Sequence, residues 1–280
     1  MQSAEAINYS SSIHINYDKT GKKIEIKCKN RNKAVPRFLA GVGIMAVLSI
    51  IYLDVDWLKL FSRMPDMGII FYKLIHFDFS KMDLVMSSMT ETISIAVLST
   101  LYSLILGIIF AAFGAENIFK MPKLSAFVKA FFTFLRAVPT PVWVLLMLVC
   151  LGMGPEAGIA GLCVHTTAFF TKSFSESFEN IPNETLEAIE ATGAGKLAVF
   201  SNAVLPASMS QIISWTGMRF EINFSECAIL GMVGAGGIGF VISTSIQGYD
   251  YGVAGVAILL VFLFAYVIER IFVRIKRRIR

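Results

Sequence analysis

Residues Glu187 to Pro206 read EAIEATGAGKLAVFSNAVLP, and this segment is the most informative one in the chain. It is polar and acidic in its first half, is broken by glycines, and lies between long apolar runs on both sides. In a chain whose other long segments are apolar, such a stretch is exposed to water and available to another protein. We therefore interpret residues 180–206 as a docking loop outside the membrane.

The composition excludes an ordinary soluble domain. Of the 280 residues, 55% are hydrophobic and only 16% are charged, and the mean hydropathy is +0.66. Soluble domains carry about a quarter charged residues. The net charge of +5 is concentrated at the two ends of the chain, so it indicates membrane topology and gives no sign of a nucleic-acid partner. The sequence therefore predicts an all-α integral membrane protein held in a lipid bilayer.

Apolar segments of about 20 residues can cross a bilayer as helices. Those in this chain predict about six transmembrane helices, namely residues 38–53, 89–113, 124–151, 157–174, a fifth starting after Pro206, and 251–272. The third is interrupted by Arg136, Pro139 and Pro141. Residues 57–85 are amphipathic and can lie along the membrane surface.

The chain divides at these segments. Residues 1–37 form a basic tail in which 13–17 and 23–27 alternate apolar and polar residues, a pattern typical of a small β-hairpin. Residues 38–85 hold the first transmembrane helix and the external amphipathic segment. Residues 86–275 form the main transmembrane domain with the loop at 180–206, and residues 276–280 are a basic end.

The positive-inside rule gives the orientation. Both ends of the chain are rich in Lys and Arg, and six spans place both ends on one side, so the N- and C-termini and the 180–206 loop are predicted to be cytoplasmic. Four basic residues in the external 54–85 segment oppose this assignment without reversing it, namely Lys59, Arg63, Lys73 and Lys81.

Within the loop, the residue types predict a compact helix-turn-helix. Asn183 can cap a helix that starts at Glu184, where carboxylates oppose the positive end of the helix dipole. Gly193 permits a turn that a residue with a Cβ would resist. Residues 196–205 can form a second short helix, after which Pro206 resets the chain for the next span.

The spacing of Glu187-Ala188, Gly193 and Leu205-Pro206 resembles the EAA motif, the cytoplasmic coupling loop of ABC importer permeases. Ile189 and Ala203 depart from its consensus. The resemblance extends from about residue 91 to 240, where 135–139, 165–167, 219–223 and 231–239 are similar to phosphonate-type permeases.

The resemblance implies a type I ABC importer permease in the bacterial inner membrane. Two permease chains, here a homodimer, would form the pathway, a pair of ATPase subunits would dock on the coupling loops, and an external binding protein would deliver a phosphonate or related phosphorus oxyanion. This chain would bind no cofactor itself, because ATP and Mg would be used by the partner ATPase.

Charges inside the predicted spans are costly, so they are candidate functional groups. Arg219, Asn223 and Glu226 share one helix face because of their spacing, whereas Glu221 points elsewhere. Two interpretations stay open. In the first, Arg219 and Glu226 neutralise each other or partners on neighbouring helices. In the second, Arg219 and Arg136 line the pathway and favour an anionic substrate. For His165, which lies among apolar residues, interhelical hydrogen bonding is favoured over a proton relay.

The glycine-rich segment is the remaining candidate. Gly234, Gly236, Gly237 and Gly239 formally fit a nucleotide-binding pattern, but no βαβ context surrounds them. In a span, glycines allow close helix approach or a local break, which suits a gate or helix packing.

Other classes are less well supported by the sequence. A stand-alone secondary transporter would need no docking loop, and only Glu221 and Glu226 hint at a carboxylate relay. No metal-ligand cluster, catalytic residues or GxxxxGK[ST] motif supports an enzyme or an ATPase. Within the permease family, phosphite, phosphate or another small solute is the alternative cargo.

Overall fold

The computed structural model describes residues 34–53 and 56–279, with side chains as far as residue 277. The chain divides into two compact units, Met1–Met64 and Pro65–Arg280. The β-hairpin predicted within residues 13–27 lies outside the described residues.

The first unit contributes one long apolar helix. Helix α1 (Ala34–Leu53) has 20 residues, none of them buried against protein. At 1.5 Å per residue it is about 30 Å long, which matches the hydrocarbon thickness of a bilayer. The chain then turns into the short α2 (Trp57–Ser62), where the Asp56 carboxylate caps the helix by accepting the Lys59 amide at 3.0 Å.

The rest of the chain is a helical bundle. Its helices are α3 (Met64–Ile75), α4 (Met82–Gly114), α5 (Glu116–Phe119), α6 (Pro122–Ala137), α7 (Thr140–Leu151), α8 (Pro155–Glu179), α9 (Asn183–Glu190), α10 (Lys196–Val199), α11 (Leu205–Leu230), α12 (Gly237–Gln247) and α13 (Tyr251–Ile279). Two π-helical segments, Phe200–Val204 and Gly231–Ala235, adjoin the ends of α11.

Four helices of the described residues are long and apolar enough to cross a membrane, Ala34–Leu53, Met82–Gly114, Lys196–Ala235 and Tyr251–Arg277. A fifth span is formed if α6 and α7, bent by 86°, are counted together. The predicted fourth span corresponds to α8, which is too polar to count as a membrane-spanning helix by composition. Helix α8 can carry these polar residues because it packs against α4, α6, α7 and α11, and many of its serines and threonines are buried there.

An aromatic ladder runs along α8. Phe170, Phe174 and Phe178 are fully buried and stack with ring centroids 4.9 and 6.4 Å apart. Phe178 then meets Phe200 edge-on at 5.6 Å. Because rings four residues apart lie on one helix face, the ladder joins the centre of the bundle to the segment that follows the loop.

The bundle has two distinct ends. At one end, α4 begins next to α13, where Lys81 Nζ lies 2.6 Å from Asp250 Oδ2. At the other end, α4 leads into α5, and Lys120 Nζ lies 3.3 Å from Glu190 Oε2 of the loop. The long α4 therefore connects the loop end of the bundle to the opposite end.

Candidate functional site

The loop presents a short amphipathic helix. Leu186 of α9 is buried, and Ile189 packs partly against the same apolar cluster. Glu187 and Ala188 lie on the opposite face and are exposed. The buried face fixes the helix to the bundle, and the exposed face remains available for contact.

The start of α9 differs from the prediction. Asn183 is the first residue of the helix and makes no side-chain capping bond, and Pro182 occupies the capping position. The ring of Pro182 fixes φ near −57°, which sets the chain direction without a side-chain cap. The prediction of Asn183 as the cap was therefore wrong by one residue.

The turn after α9 depends on glycine. Gly193 has φ +82°, and its amide donates to the Glu190 carbonyl at 2.9 Å. A residue with a Cβ is strained in this left-handed conformation. Within the part of the chain that the structure describes, a Cβ at Gly193 would nevertheless meet no atom within 4 Å, so the space beside the turn is open.

The second half of the loop is not a separate helix ending at Leu205. Helix α10 passes through the π-helical segment directly into α11, and Leu205 donates its amide to the Phe200 carbonyl. Pro206 therefore does not interrupt the helix. The π turn immediately before it supplies i→i+5 hydrogen bonds, which accommodate a residue that has no amide proton.

Helix α5 forms a cradle under the loop. The Lys196 ammonium donates to the Phe119 carbonyl at 2.9 Å, and Asn117 Nδ2 donates to the Phe178 carbonyl at 2.9 Å. A small polar cavity of about 160 Å³ lies beside Asn117, Lys120 and Glu187. The Lys196 bond and the ion pair between Lys120 and Glu190 tie the loop to the connection between α4 and α6, and the Asn117 bond ties that connection to α8.

Leu197 was missed by the sequence reasoning. Its side chain is 73% exposed on α10, beside the docking helix. It adds an apolar group to the otherwise polar exposed surface of the loop. The signal that could have found it is its place between Lys196 and Ala198 in a segment already interpreted as exposed.

A second site is a polar network in the middle of the bundle. Asn223 on α11 is completely buried. Its Oδ1 accepts the Thr166 hydroxyl of α8 at 2.9 Å, and its Nδ2 donates to Thr100 Oγ1 of α4 at 2.9 Å. Thr100 in turn donates to the Ala96 carbonyl at 2.7 Å. Three helices are therefore joined through one amide whose hydrogen-bonding groups are satisfied.

Arg219 is the centre of this network. Its side chain is only 4% exposed. Nε donates to Thr166 Oγ1 at 3.2 Å, and Nη2 lies 3.0 Å from His165 Nδ1 and donates to Glu226 Oε2 at 3.2 Å. Because a guanidinium can only donate, His165 Nδ1 must be the acceptor in this contact. Arg219 is therefore committed to protein partners.

The remaining charged candidates lie at the edges of this network. Glu226 also accepts the Thr140 hydroxyl at 3.3 Å, which adds α7 to the assembly. Glu221 faces away, into a separate cavity of about 160 Å³ between α11 and α13. Arg136 lies in the last turn of α6 and is exposed, with its guanidinium 5.2 Å from the Phe169 ring centroid.

The glycine-rich segment breaks the helix between α11 and α12. Gly234, Gly236 and Gly237 have φ values of +111°, +80° and +70°. Gly239 lies within α12, where a Cβ would collide with the Ala228 carbonyl of α11. The segment is thus both a break and a close helix contact.

The sequence matches a known family. The model of the family described as binding-protein-dependent transport system inner membrane component matches residues 103–280. Because this is more than half of the chain, the protein belongs to that family, and it is a multi-pass membrane protein. Members of this family are membrane components of transporters.

Two relatives narrow the comparison. The chain is 31% identical over 242 residues to the phosphate-import permease protein PhnE of Mycolicibacterium smegmatis, covering 85% of this chain and 45% of that protein. It is 28% identical to the phosphite transport system permease protein PtxC of Stutzerimonas stutzeri, covering 80% of each. The chain thus spans about half the length of the first relative.

The fold is that of solved importer permeases. A chain of the MetNI methionine ABC transporter in an inward-facing conformation superposes with a TM-score of 0.64 at 22% identity. The superposition covers 72% of this chain and 99% of that chain. The type I ABC importer permease fold expected from the sequence is confirmed.

Proposed function

We propose that the chain is the permease subunit of an ATP-driven importer for phosphonates or related phosphorus oxyanions. Two observations on relatives support this cargo, since PhnE and PtxC are named for phosphate and phosphite. The transport role rests mainly on the exposed surface of α9 in this chain. Leu186 fixes α9 to the bundle, and the space beside Gly193, in the turn after α9, is open.

The docking partner is an ABC ATPase dimer, with one subunit on each α9 of a permease homodimer. The anchored and open faces of α9 support this role, because a partner that pushes on the open face moves the buried face with it. ATP and Mg belong to the ATPase. An extracytoplasmic binding protein delivers the cargo to the opposite end of the bundle.

Contacts at the end of the bundle opposite the loop support the predicted orientation, in which the loop is cytoplasmic. Placing the loop in the cytoplasm puts Lys81 and Asp250 outside, where they form an ion pair with each other. Lys73 lies over the Tyr251 ring at 5.7 Å. Two of the four basic residues that oppose the positive-inside rule are therefore engaged by α13 or its preceding turn.

Uptake is the direct test. Labelled 2-aminoethylphosphonate is supplied to cells with and without the chain, with phosphite and phosphate as competitors. Uptake that requires the chain and resists phosphate supports a phosphonate importer. If phosphite or phosphate import is lost instead, the assigned cargo is wrong, and the assignment as a permease stands. Uptake that persists without ATP but stops with a proton-gradient uncoupler would indicate a secondary transporter.

Arg136 is the better candidate for the pathway of an anion. Arg219 contacts three polar partners, Thr166, His165 and Glu226, whereas the Arg136 side chain makes no hydrogen bond or ion pair to any other residue that the structure describes. An exposed guanidinium at a break in a span is costly against lipid. It therefore faces a water-filled pathway or a second permease chain.

Arg136→Gln is expected to reduce uptake about fivefold without lowering the amount of protein in the membrane. Opposite charges about 4 Å apart attract by roughly 1–4 kcal/mol at effective dielectric constants of 80 to 20, and loss of the lower value accounts for the reduction. Arg136→Lys keeps the charge and should retain most of the uptake. Initial rates and membrane immunoblots measure both quantities, and a fall in protein that matches the fall in uptake contradicts the pathway role.

A further inference from the structure

The glycine break is held from two sides at the end of the bundle opposite the loop. On one side, the Gly154 amide in the turn between α7 and α8 donates to the Gly234 carbonyl at 3.2 Å. On the other side, α4 presents Glu91 and Thr92. Neither residue of this α4 pair belongs to the buried network around Arg219.

Thr92 caps α12 from a different helix. Its Oγ1 accepts the amide of Ile238, the second residue of α12, at 2.8 Å, and its hydroxyl donates to the Ser88 carbonyl at 2.9 Å. Thr92 is completely buried. Helices need a side-chain acceptor for their first amides. Gly236, at the capping position of α12, has no side chain to supply one.

Glu91 lies beside the same helix start. A Cβ at Gly236 would lie 2.5 Å from Glu91 Oε1, so the carboxylate is directly against the backbone of the break. A negative charge there opposes the positive end of the α12 dipole. The other side of Glu91 faces a cavity of about 490 Å³ whose lining includes Ser87, Thr90 and Ser94.

The break is also the far end of the helix that starts at the docking loop. Residues Lys196–Ala235 form one helical run of 40 residues, about 60 Å long. That is roughly twice the hydrocarbon thickness. One helical run therefore connects α10 to the break, where Thr92 and Glu91 contact the start of the next helix.

We propose that Glu91 and Thr92 are positioning residues that latch the start of α12 and keep the outer end of the pathway closed. Release of this latch accompanies displacement of α11. The role in transport rests on the proposed function, but the latch itself concerns only the accessibility of the break and can be measured without cargo.

The test is labelling of Val233→Cys with a membrane-impermeant maleimide in intact cells, in a background whose four native cysteines are replaced by alanine. Val233 is 48% exposed in the break. Thr92→Val removes the acceptor at nearly constant shape and should accelerate labelling about fivefold, in line with the net strength of one buried hydrogen bond. Thr92→Ser keeps the acceptor and should label at the parent rate.

Equal labelling rates in Thr92→Val and Thr92→Ser would overturn the latch. If Thr92→Val does not reach the membrane, Glu91→Gln decides the question, because it keeps the shape and removes the charge. Faster labelling in Glu91→Gln supports the latch, and an unchanged rate overturns it. Because labelling needs no transport, failure of the phosphorus-oxyanion proposal leaves this result unaffected.

Discussion

Gly193→Asp is expected to reduce uptake roughly tenfold while the permease stays in the membrane at its normal amount. The reason is the open space around the turn, where an added Cβ meets no atom of the described residues within 4 Å. The cost to the fold is the left-handed backbone, about 1–2 kcal/mol for a non-glycine residue and less for Asp, which tolerates this region. A large effect must therefore come from a partner.

The size of the effect follows from docking. A carboxylate placed in the contact loses its water without gaining a designed partner, which costs about 1–3 kcal/mol or more. Each 1.4 kcal/mol is a factor of ten in the binding constant. Gly193→Ala is the matched control, because it carries the backbone strain without the charge, and its uptake should fall less than threefold.

Two measurements accompany uptake in these variants. Co-purification with a tagged ATPase subunit should fail for Gly193→Asp and succeed for Gly193→Ala, and membrane immunoblots should give equal amounts of both permeases. Unchanged uptake in Gly193→Asp would remove the docking role from this surface.

The loop could be located from sequence, but its helix boundaries could not. The polar residues between apolar runs and the position of Gly193 were sufficient to predict a turn exposed to water. The continuous helix through Pro206 was not predicted, because proline normally signals a break. The π turn that accommodates it begins at Phe200, which contacts Phe178 of α8, and the local sequence does not reveal such a tertiary contact.

Tertiary structure also explains why α8 extends beyond the predicted span, which ended at residue 174. Its serines and threonines shortened the predicted span, because polar residues usually mark the end of a membrane helix. In the structure, Ser175 and Ser177 donate to carbonyls of Thr171 and Ser173 at 2.7 and 2.8 Å, four residues earlier. These hydroxyls are satisfied inside the helix, so α8 continues to Glu179.

Only the α11 residues of the buried network could be predicted from the sequence. Helical spacing placed Arg219, Asn223 and Glu226 on one face, as the structure has them. Their partners Thr100, Thr140 and Thr166 come from three other helices, and threonines in apolar segments carry no distinguishing signal in a single sequence. For the same reason Glu91 and Thr92 were not singled out, since their role depends on a helix about 145 residues further on.

Arg219→Met should destabilise the bundle strongly, with little folded permease recovered from the membrane. Removing the guanidinium leaves Glu226 as a partly buried carboxylate without its cation and leaves His165 without its donor. Breaking a buried ion pair by removing one partner costs roughly 3–5 kcal/mol. A pathway role predicts the opposite, a normal amount of protein with reduced uptake.

Arg219→Met combined with Glu226→Gln separates the two roles. The glutamine carries no charge and can still accept the Thr140 hydroxyl that Glu226 accepts at 3.3 Å. Replacing both partners of a buried pair is far less costly than replacing one. We therefore expect the double variant to recover most of the folded protein, measured as the monodisperse fraction after extraction in detergent.

If the double variant is no better recovered than Arg219→Met, the ion pair is not what makes Arg219 necessary. If Arg219→Met alone is recovered normally and only transport is lost, Arg219 acts on the cargo, and the assignment of the pathway to Arg136 must be extended to the network.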